Sequence, residues 1–329
     1  MEKGEGRLDK AYDETVNRIE NREQGIRELA KRTLFWIVYA KRPLTTEELR
    51  HALAVEPGTC RLDKSNFCPV KDMVSFCAGL VTIDSNIIRL VHYTTQEYFQ
   101  RRGSKTFEDV QRDIIATSCL TYLSYDVFAD GYLAEWDLDM ESESDPESEL
   151  DPKPRLQQNA FFKYAAQNWA YHIQDIQECF GDLALKFLMN DGKASASSQV
   201  LVQYSPEQFC GMHLVAYFGL SDIAVRLLQE KDPDTKDSDG RTPLSYAVEK
   251  GNARLVELLL DYNVDVYSKC EEGRTPFSQA IEEGNVAVIQ IIFAKGAEID
   301  YRYELVRISN CMRSIDGWLT LCFTIAGRK

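Results

Sequence analysis

Hydrophobic residues recur at helical spacing over most of the first eighty positions. In the first such stretch the apolar positions are Leu8, Tyr12, Val16 and Ile19. This spacing predicts four helices, over residues 8–23, 26–40, 45–55 and 70–77. Thr45 and Glu48 have the spacing of a capping box, so we expect the third helix to begin at Thr45.

The pattern then changes to two short runs of β-branched residues. Residues 80–84 and 87–92 are separated by Ser85 and Asn86, which tolerate turn geometry, and they predict a β-hairpin. Thr94 and Glu97 repeat the capping-box spacing, so a helix should follow the hairpin directly, with His92 at the junction. Helices followed by a hairpin in this order predict a winged-helix domain.

Apolar positions at helical spacing resume after the hairpin. They predict helices over residues 107–128, 161–173 and 180–188, which together form a helical arm. Between them, residues 135–151 carry nine acidic and no basic side chains, which predicts a disordered acidic loop over 130–155. The loop is either a solvated spacer or a phosphoserine switch, for which the candidate positions are Ser142, Ser144 and Ser148.

A motif repeats in the C-terminal part with a period of 33 residues. The run Asp239–Pro243 (DGRTP) recurs as Glu272–Pro276 (EGRTP), and Gly251 recurs as Gly284. A degenerate earlier copy begins at Gly211. This period is typical of ankyrin repeats, and three repeats are about the number that a stable stack needs.

We therefore predict a mainly α-helical chain with a small β-hairpin. The predicted segments are an N-terminal helix (1–24), the winged helix (25–104), the helical arm (105–204), a C-terminal solenoid of about three ankyrin repeats (205–300) and an atypical tail (301–329). The repeat pattern stops after Asp300, and the apolar run Ile315–Ala326 has no polar face. The tail is either a degenerate cap or a run-on from a mis-drawn gene end, and we favour the run-on.

Composition excludes several classes of function. The net charge is −14, and the helix over 70–77 offers one lysine beside one aspartate, which argues against a nucleic-acid partner. The nine cysteines are scattered without a Cys-x-x-Cys pair, which predicts reduced thiols and a cytoplasmic location. No apolar run has the length of a signal core at the N-terminus or of a membrane span, so we expect no membrane partner.

The sequence also lacks the motifs of catalysis. It has no Gly-x-x-x-x-Gly-Lys-Ser/Thr phosphate loop, and the run Gly103–Thr106 follows a predicted helix rather than a strand. It has no Gly-x-Ser-x-Gly nucleophile elbow. The four histidines lie far apart in different predicted elements: His51, His92, His172 and His213. We expect a non-catalytic protein without a metal or cofactor.

Several runs of the N-terminal part occur together and in order, namely Leu29–Ile37, Lys41–Thr45, Cys77–Leu80 and Val91–Phe99. In these runs the chain resembles the winged-helix region of filamentous-fungal NACHT–ankyrin proteins, which are NLR-like signal-transducing ATPases. The resemblance extends over residues 10–180. The same module is often labelled a GPI-inositol-deacylase winged-helix domain, a label that does not imply that activity.

The residues that end the hairpin also resemble the winged helix of animal NACHT receptors. The pattern is a histidine, a threonine two positions later and then Gln-Glu, which here are His92, Thr94, Gln96 and Glu97. In those receptors the histidine contacts the β-phosphate of bound ADP and holds the closed state, so the resemblance assigns this role to His92. Because the nucleotide-binding half is not in this sequence, such sensing requires a NACHT domain from a longer product or in trans.

The resemblance implies a protein–protein interaction and regulatory module of an NLR-like signalling system. Two alternatives stay open: a stand-alone ankyrin adaptor with a relic winged helix, and the trans-acting half of a nucleotide-dependent switch. The predicted partner-binding residues lie on the ankyrin hairpin tips and concave helix face: Ser238, Asp239, Arg241, Glu249, Lys250, Glu271, Glu272, Arg274, Glu282 and Glu283. Their acidic excess favours a basic protein partner. The sequence indicates no particular oligomeric state.

Overall fold

The computed structural model describes residues 2–102, 105–131, 158–201 and 207–295. The predicted acidic segment 135–151 with its three serines and the predicted tail 301–329 lie outside the described residues. The chain forms two compact units, Met1–Gly211 and Met212–Lys329. Both are mainly helical, which confirms the predicted fold class.

The N-terminal unit contains nine α-helices among the residues described. They are α1 (Glu2–Glu20), α2 (Gln24–Tyr39), α3 (Thr46–Ala54), α4 (Val70–Phe76), α5 (Tyr93–Arg102), α6 (Lys105–Leu123), α7 (Phe162–Ile173), α8 (Gln177–Leu188) and α9 (Asp191–Ser198). Short 3-10 turns cover Lys64–Asn66 and Asp126–Phe128. The predicted helix over 107–128 therefore ends early, at Leu123.

Three short strands form one antiparallel sheet in the order β1-β3-β2. They are β1 (Leu44–Thr45), β2 (Val81–Asp84) and β3 (Ile87–Leu90). Ile88 is the centre of the sheet, because it pairs with Leu44 on one side and Ile83 on the other. Ser85 and Asn86 both have positive φ, as a two-residue hairpin turn requires. The predicted hairpin is thus confirmed, and β1 adds a third strand that the sequence pattern did not show.

An aromatic cluster joins the winged-helix part of this unit to the arm. Trp36 of α2 meets Phe161 edge to face at 5.3 Å and Tyr164 at 5.9 Å, and Tyr122 of α6 meets Phe161 at 5.2 Å. All four side chains are buried. Edge-to-face pairs are favourable beyond the area they bury, so this cluster fixes α6 and α7 against α2.

The C-terminal unit contains six α-helices within its described part. They are α10 (Gly211–Phe218), α11 (Ser221–Leu227), α12 (Pro243–Glu249), α13 (Ala253–Asp261), α14 (Pro276–Glu282) and α15 (Val286–Ala294). Thr242 and Thr275 cap α12 and α14, each followed by proline at the first helical position. This is the helix start that the Thr-Pro repeat predicts.

Side-chain hydrogen bonds link the first ankyrin repeat to the second. The side-chain amide of Asn252 donates to the carbonyl of Ala216 in the preceding repeat at 2.9 Å. The imidazole of His213 lies 3.2 Å from the carbonyl of Arg241 in the following repeat. At the position equivalent to His213, Ser245 bonds within its own cap instead. The first seam therefore has a side-chain bond that the second seam lacks at this position.

Candidate functional site

His92 lies between β3 and α5 and caps the helix. The backbone N–H of Thr94 donates to His92 Nδ1 at 3.2 Å, and the N–H of Thr95 donates to the His92 carbonyl at 3.1 Å. An N-cap side chain normally accepts from the second or third helical N–H, so the imidazole takes the place of an aspartate or serine here.

The predicted capping box of Thr94 and Glu97 is wrong. Helix α5 begins at Tyr93, one residue before the predicted start, which places Thr94 inside the first turn. Its hydroxyl lies 2.8 Å from His92 Nδ1 and 2.6 Å from Tyr12 Oη of α1. The matching prediction at Thr45 is confirmed, because Thr45 and Glu48 form a reciprocal capping box at the start of α3.

The cap fixes which ring nitrogen of His92 is free. A backbone N–H can only donate, so Nδ1 must accept, and the neutral imidazole then carries its hydrogen on Nε2. The side chain is exposed. His92 therefore presents an N–H donor outward while its other nitrogen holds the helix start.

A cavity of about 360 Å³ opens beside His92. Its charged lining consists of Lys41, Arg42 and Arg89, and Tyr93 and Gln96 of α5 complete the polar side. The rest of the lining is mainly aliphatic and comes from α2, β1, β3 and the residues that flank them. Among the described residues that line the cavity there is no aspartate or glutamate. The cavity is thus suited to a ligand group that carries negative charge.

The two arginines are held differently. Arg42 forms two hydrogen bonds to Glu48, at 2.9 and 2.6 Å, and its guanidinium lies over the ring of Tyr164 at 5.2 Å. Burial opposes ionisation of Glu48, but the hydrogen bonds from Arg42 and Thr45 prevail and lower the pKa of its carboxyl. Arg42 is therefore held in place in the cavity wall, with Glu48 balancing its charge.

Arg89 is paired only at the surface. Its guanidinium lies 2.5 Å from Asp84, and more than half of each side chain is exposed. Exposed pairs of this kind contribute about 1 kcal/mol or less, so an anion in the cavity could recruit Arg89 from Asp84 at small cost. The sequence resemblance included Lys41 and Arg42, but Arg89 joins them only through the pairing of β1 with β3.

The other histidines are buried and engaged elsewhere. His51 Nδ1 lies 2.8 Å from Tyr122 Oη, and His172 Nε2 lies 2.9 Å from Tyr164 Oη. Burial lowers the pKa of His51 from 6.5 to about 4. Across the ranges that the structure covers, no three His, Cys, Asp or Glu side chains are grouped to hold a metal ion.

The predicted ankyrin surface is partly neutralised by its own ion pairs. Glu249 pairs with Arg241 and Lys250, and Arg274 pairs with Glu272 and Glu282. The Arg241 guanidinium also lies 4.0 Å from the centre of the Tyr246 ring. These contacts orient the side chains on the surface and leave a smaller net charge there than a count of residues suggests.

The remaining predicted residues of this surface are exposed: Ser238, Asp239, Glu271 and Glu283. Asp239 is nevertheless partly desolvated, and this desolvation, followed by the nearby carboxylate of Asp237, raises its pKa. Two contacts join the repeats on this side that the sequence did not indicate. Lys250 Nζ lies 4.4 Å from the Tyr217 ring centre, and Gln279 donates to Glu249 at 3.3 Å.

Comparison with known families identifies both parts of the chain. Residues 19–108 match the family described as GPI inositol-deacylase, winged helix domain. Residues 212–303 match ankyrin repeats in three copies. The chain thus contains a GPI-inositol-deacylase-type winged-helix domain and ankyrin repeats. Domains of these two kinds are typically non-catalytic, and ankyrin repeats indicate a protein-interaction module with protein partners.

The individual proteins that match this chain align with only a small part of it. Delta-latroinsectotoxin-Lt1a of Latrodectus tredecimguttatus is 46% identical over 61 residues, which are 18% of this chain and 5% of the toxin. A solved structure, the Bd0816 predatory endopeptidase from Bdellovibrio bacteriovorus in complex with immunity protein Bd3460, matches with 27% identity over 27% of this chain and 47% of that one. Its TM-score is 0.26, so we infer no similarity of fold from this match.

Among the helices of the described ranges, none combines the length and the hydropathy that crossing a bilayer requires.

Proposed function

We propose that this chain is a non-catalytic regulatory module of an NLR-like signalling system. In this proposal the ankyrin repeats bind a protein partner, and the winged helix contacts a NACHT-type nucleotide-binding domain. That domain comes from a longer product or from a separate chain. The main support is the Nε2–H donor of the exposed His92 at a cavity where the charged side chains among the described lining residues are all cationic.

The chemistry of this cavity suits the phosphates of a nucleotide held by the second domain. An imidazole N–H, an ammonium and two guanidinium groups are the donors that proteins use for phosphate oxygens. The winged helix itself offers no glycine-rich loop and no carboxylate in this lining for Mg²⁺. It would therefore read a nucleotide that the NACHT domain binds, rather than bind and hydrolyse one alone.

Exposed apolar side chains beside the cavity support docking of another protein surface. Val91 is 58% exposed and Tyr93 is 69% exposed, and the Tyr93 ring lies 4.6 Å from the His92 ring. Aromatic and aliphatic side chains next to charged groups are typical of the centre of an interface. A NACHT domain over this face would cover them and bring its nucleotide to His92.

The ankyrin surface supports a separate, basic protein partner. Asp239, Glu271 and Glu283 are exposed on it, and partial desolvation together with the nearby Asp237 carboxylate raises the pKa of Asp239, which a cationic partner would reverse. Replacing Asp239 and Glu271 by the amides should weaken capture of this partner and reduce its salt dependence. Equal capture at all salt concentrations would exclude a basic partner.

One further proposal follows from the sequence. The nine cysteines of the sequence are scattered without a Cys-x-x-Cys pair, as expected for reduced thiols, and we place the protein in the cytoplasm on this basis. Cell fractionation tests this placement, and recovery outside the cytosol would contradict it.

A capture experiment tests the winged-helix proposal. Full-length chain is immobilised and offered purified NACHT domains from the same genome, with and without ADP. We expect ADP-dependent capture that is lost in His92→Asn, because asparagine can cap α5 but lacks the imidazole Nε2–H. Capture that is equal with and without ADP, and equal for the wild type and His92→Asn, would instead favour the stand-alone ankyrin adaptor.

A further inference from the structure

Helix α1 is fastened to α5 by three side-chain contacts along one face. They are Tyr12 Oη to Thr94 Oγ1 at 2.6 Å, Tyr98 Oη to Asp13 at 2.6 Å, and Arg101 to Asp9 at 2.9 Å. The rings of Tyr12 and Tyr98 also meet at 5.2 Å. The contact nearest the start of α5 ends on the residue that touches His92.

The direction of each hydrogen bond in this chain of contacts can be assigned. The Thr94 N–H donates to His92 Nδ1, so Nδ1 carries no hydrogen. The Thr94 hydroxyl, 2.8 Å away, must then donate to Nδ1 as well. A hydroxyl has one hydrogen, so the Tyr12 hydroxyl donates to Thr94 Oγ1. The order of donation is Tyr12 to Thr94 to His92.

We propose that α1 positions His92 through this relay. Tyr12 orients the Thr94 hydroxyl, and the hydroxyl and the N–H of Thr94 together hold the ring with Nε2–H outward. Movement of α1 away from α5 would free the Thr94 hydroxyl to accept from Nδ1–H, so the share of the tautomer without a hydrogen on Nε2 would rise. Helix α1 thus shifts the proportion of His92 rings that offer a donor at the cavity.

That this donor meets a phosphate rests on the proposed function, but the relay does not. The hydrogen bonds lie within the N-terminal unit and need no ligand. A purely structural role for the same contacts would change stability without changing the tautomer. The tautomer of His92 is therefore the quantity that separates positioning from structural support.

The test is a long-range ¹H–¹⁵N correlation spectrum of the full-length chain with ¹⁵N-labelled histidine. It is recorded at a pH well above the usual histidine pKa. His92→Asn identifies the His92 signals among the four histidines. We expect the Nε2–H tautomer to predominate, with Nδ1 in the range of an unprotonated ring nitrogen. A predominant Nδ1–H tautomer in the wild type would overturn the proposal.

The variants remove single atoms of the relay. Thr94→Val keeps the backbone donor and loses the hydroxyl, so the proportion of Nε2–H to Nδ1–H should fall about fivefold, the size expected for one hydrogen bond. Thr94→Ser should restore it. Tyr12→Phe keeps the ring contact with Tyr98 and should give a smaller decrease. An unchanged ratio in both Thr94→Val and Tyr12→Phe would contradict the relay.

Asp13→Asn is the matched control. It weakens the bond from Tyr98 to α1 without touching Tyr12 or Thr94, so it should lower stability and leave the tautomer ratio unchanged. If Asp13→Asn shifts the ratio as much as Thr94→Val does, general loosening of α1 explains the effect and the specific relay is excluded.

Failure of this inference and failure of the proposed function look different. A shifted tautomer in Thr94→Val together with no ADP-dependent capture would leave the relay standing and remove the nucleotide role. The opposite outcome is ADP-dependent capture that requires His92, together with a tautomer ratio that is unchanged in Thr94→Val and Tyr12→Phe. It would support the nucleotide role and exclude the relay.

Discussion

At the scale of single residues, His92 combines a structural and an interaction role. Its Nδ1 accepts from the start of α5, and its Nε2–H faces outward beside Lys41, Arg42 and Arg89. A satisfied structural histidine and a ligand-contacting histidine are usually alternative interpretations of one side chain. Here the two ring nitrogens allow both roles. Because Nδ1 accepts the hydrogen bond from the start of α5, the neutral ring has its hydrogen on Nε2, which is then a donor.

The capping role predicts the stability of two variants. His92→Ala leaves the first N–H groups of α5 without a side-chain acceptor and should lower the free energy of unfolding by about 1 kcal/mol. His92→Asn retains an acceptor and should cost less. Urea denaturation of both variants measures the difference, and equal losses would show that the cap contributes little.

His51 predicts a pH dependence of stability. It is 5% exposed, and burial lowers its pKa from 6.5 to about 4 in the folded state. As the pH falls below 6.5 the unfolded chain binds this proton first, so stability falls until about pH 4, where the folded chain binds it too. The total loss from this group should be about 3 kcal/mol.

The comparison variant for this effect is His51→Gln, which does not titrate. Urea denaturation at several values of pH should show a shallower decline between pH 6.5 and 4 for the variant than for the wild type. Parallel curves would mean that His51 titrates normally in the folded chain, and that its burial beside Tyr122 is incomplete in solution.

At the scale of elements, the spacing of apolar residues predicted the helices and the hairpin, because it shows which face of each element is buried. It missed α9 (Asp191–Ser198), whose small and hydroxyl-bearing residues give no apolar stripe. It missed β1, which is two residues long. In both cases neighbouring elements, rather than the local pattern, determine the structure.

The two capping boxes show where local spacing stops being sufficient. Thr45 and Thr94 have the same spacing to a glutamate, but only Thr45 forms the box. At Thr94 the N–H is taken by the preceding imidazole, and the hydroxyl is engaged by Tyr12, 82 residues earlier in the chain. A partner at that distance cannot be inferred from the motif itself.

The ankyrin glycines give an element-scale prediction. Gly251 has a positive φ of 67°, and a Cβ there would lie 2.5 Å from the side chain of Asn285 in the next repeat. Gly284 has nearly the same φ, 68°, with no atom of the described residues within 4 Å of a Cβ. Gly284→Ala should therefore cost the backbone strain alone, about 1–2 kcal/mol, and Gly251→Ala should cost clearly more.

Thermal or urea unfolding of the two glycine variants measures that difference. Because they share a backbone conformation, the difference reports the close approach of the following repeat. Equal destabilisation would mean that Asn285 moves aside freely and that the seam is not tightly packed there.

At the scale of the whole molecule, the sequence predicted the kinds of domain better than it predicted the site. Repeats and a winged helix are visible in the pattern because many residues contribute to each. The polar groups of the cavity depend on Lys41 and Arg42 after α2, Arg89 in β3 and His92 after β3. The pairing of Leu44 with Ile88 brings them together. The ion pairs among the ankyrin side chains likewise depend on the fold and could not be predicted from the sequence.

The two units suggest a division of labour in the proposed function. The N-terminal unit contains the cationic cavity, and the C-terminal unit presents a paired but still acidic surface. Opposite charge on the two sites favours different partners for each. A regulatory module with two such surfaces can connect a nucleotide-binding domain to a second protein.

The central claim is tested most directly by the dissociation constant between the full-length chain and a captured NACHT domain, measured by calorimetry with and without ADP. The account predicts that ADP tightens binding at least about fivefold, and that the chain tightens ADP binding by the same factor, because coupling between sites is reciprocal. His92→Asn should abolish both effects. Identical constants with and without ADP would contradict the claim that His92 reads the nucleotide.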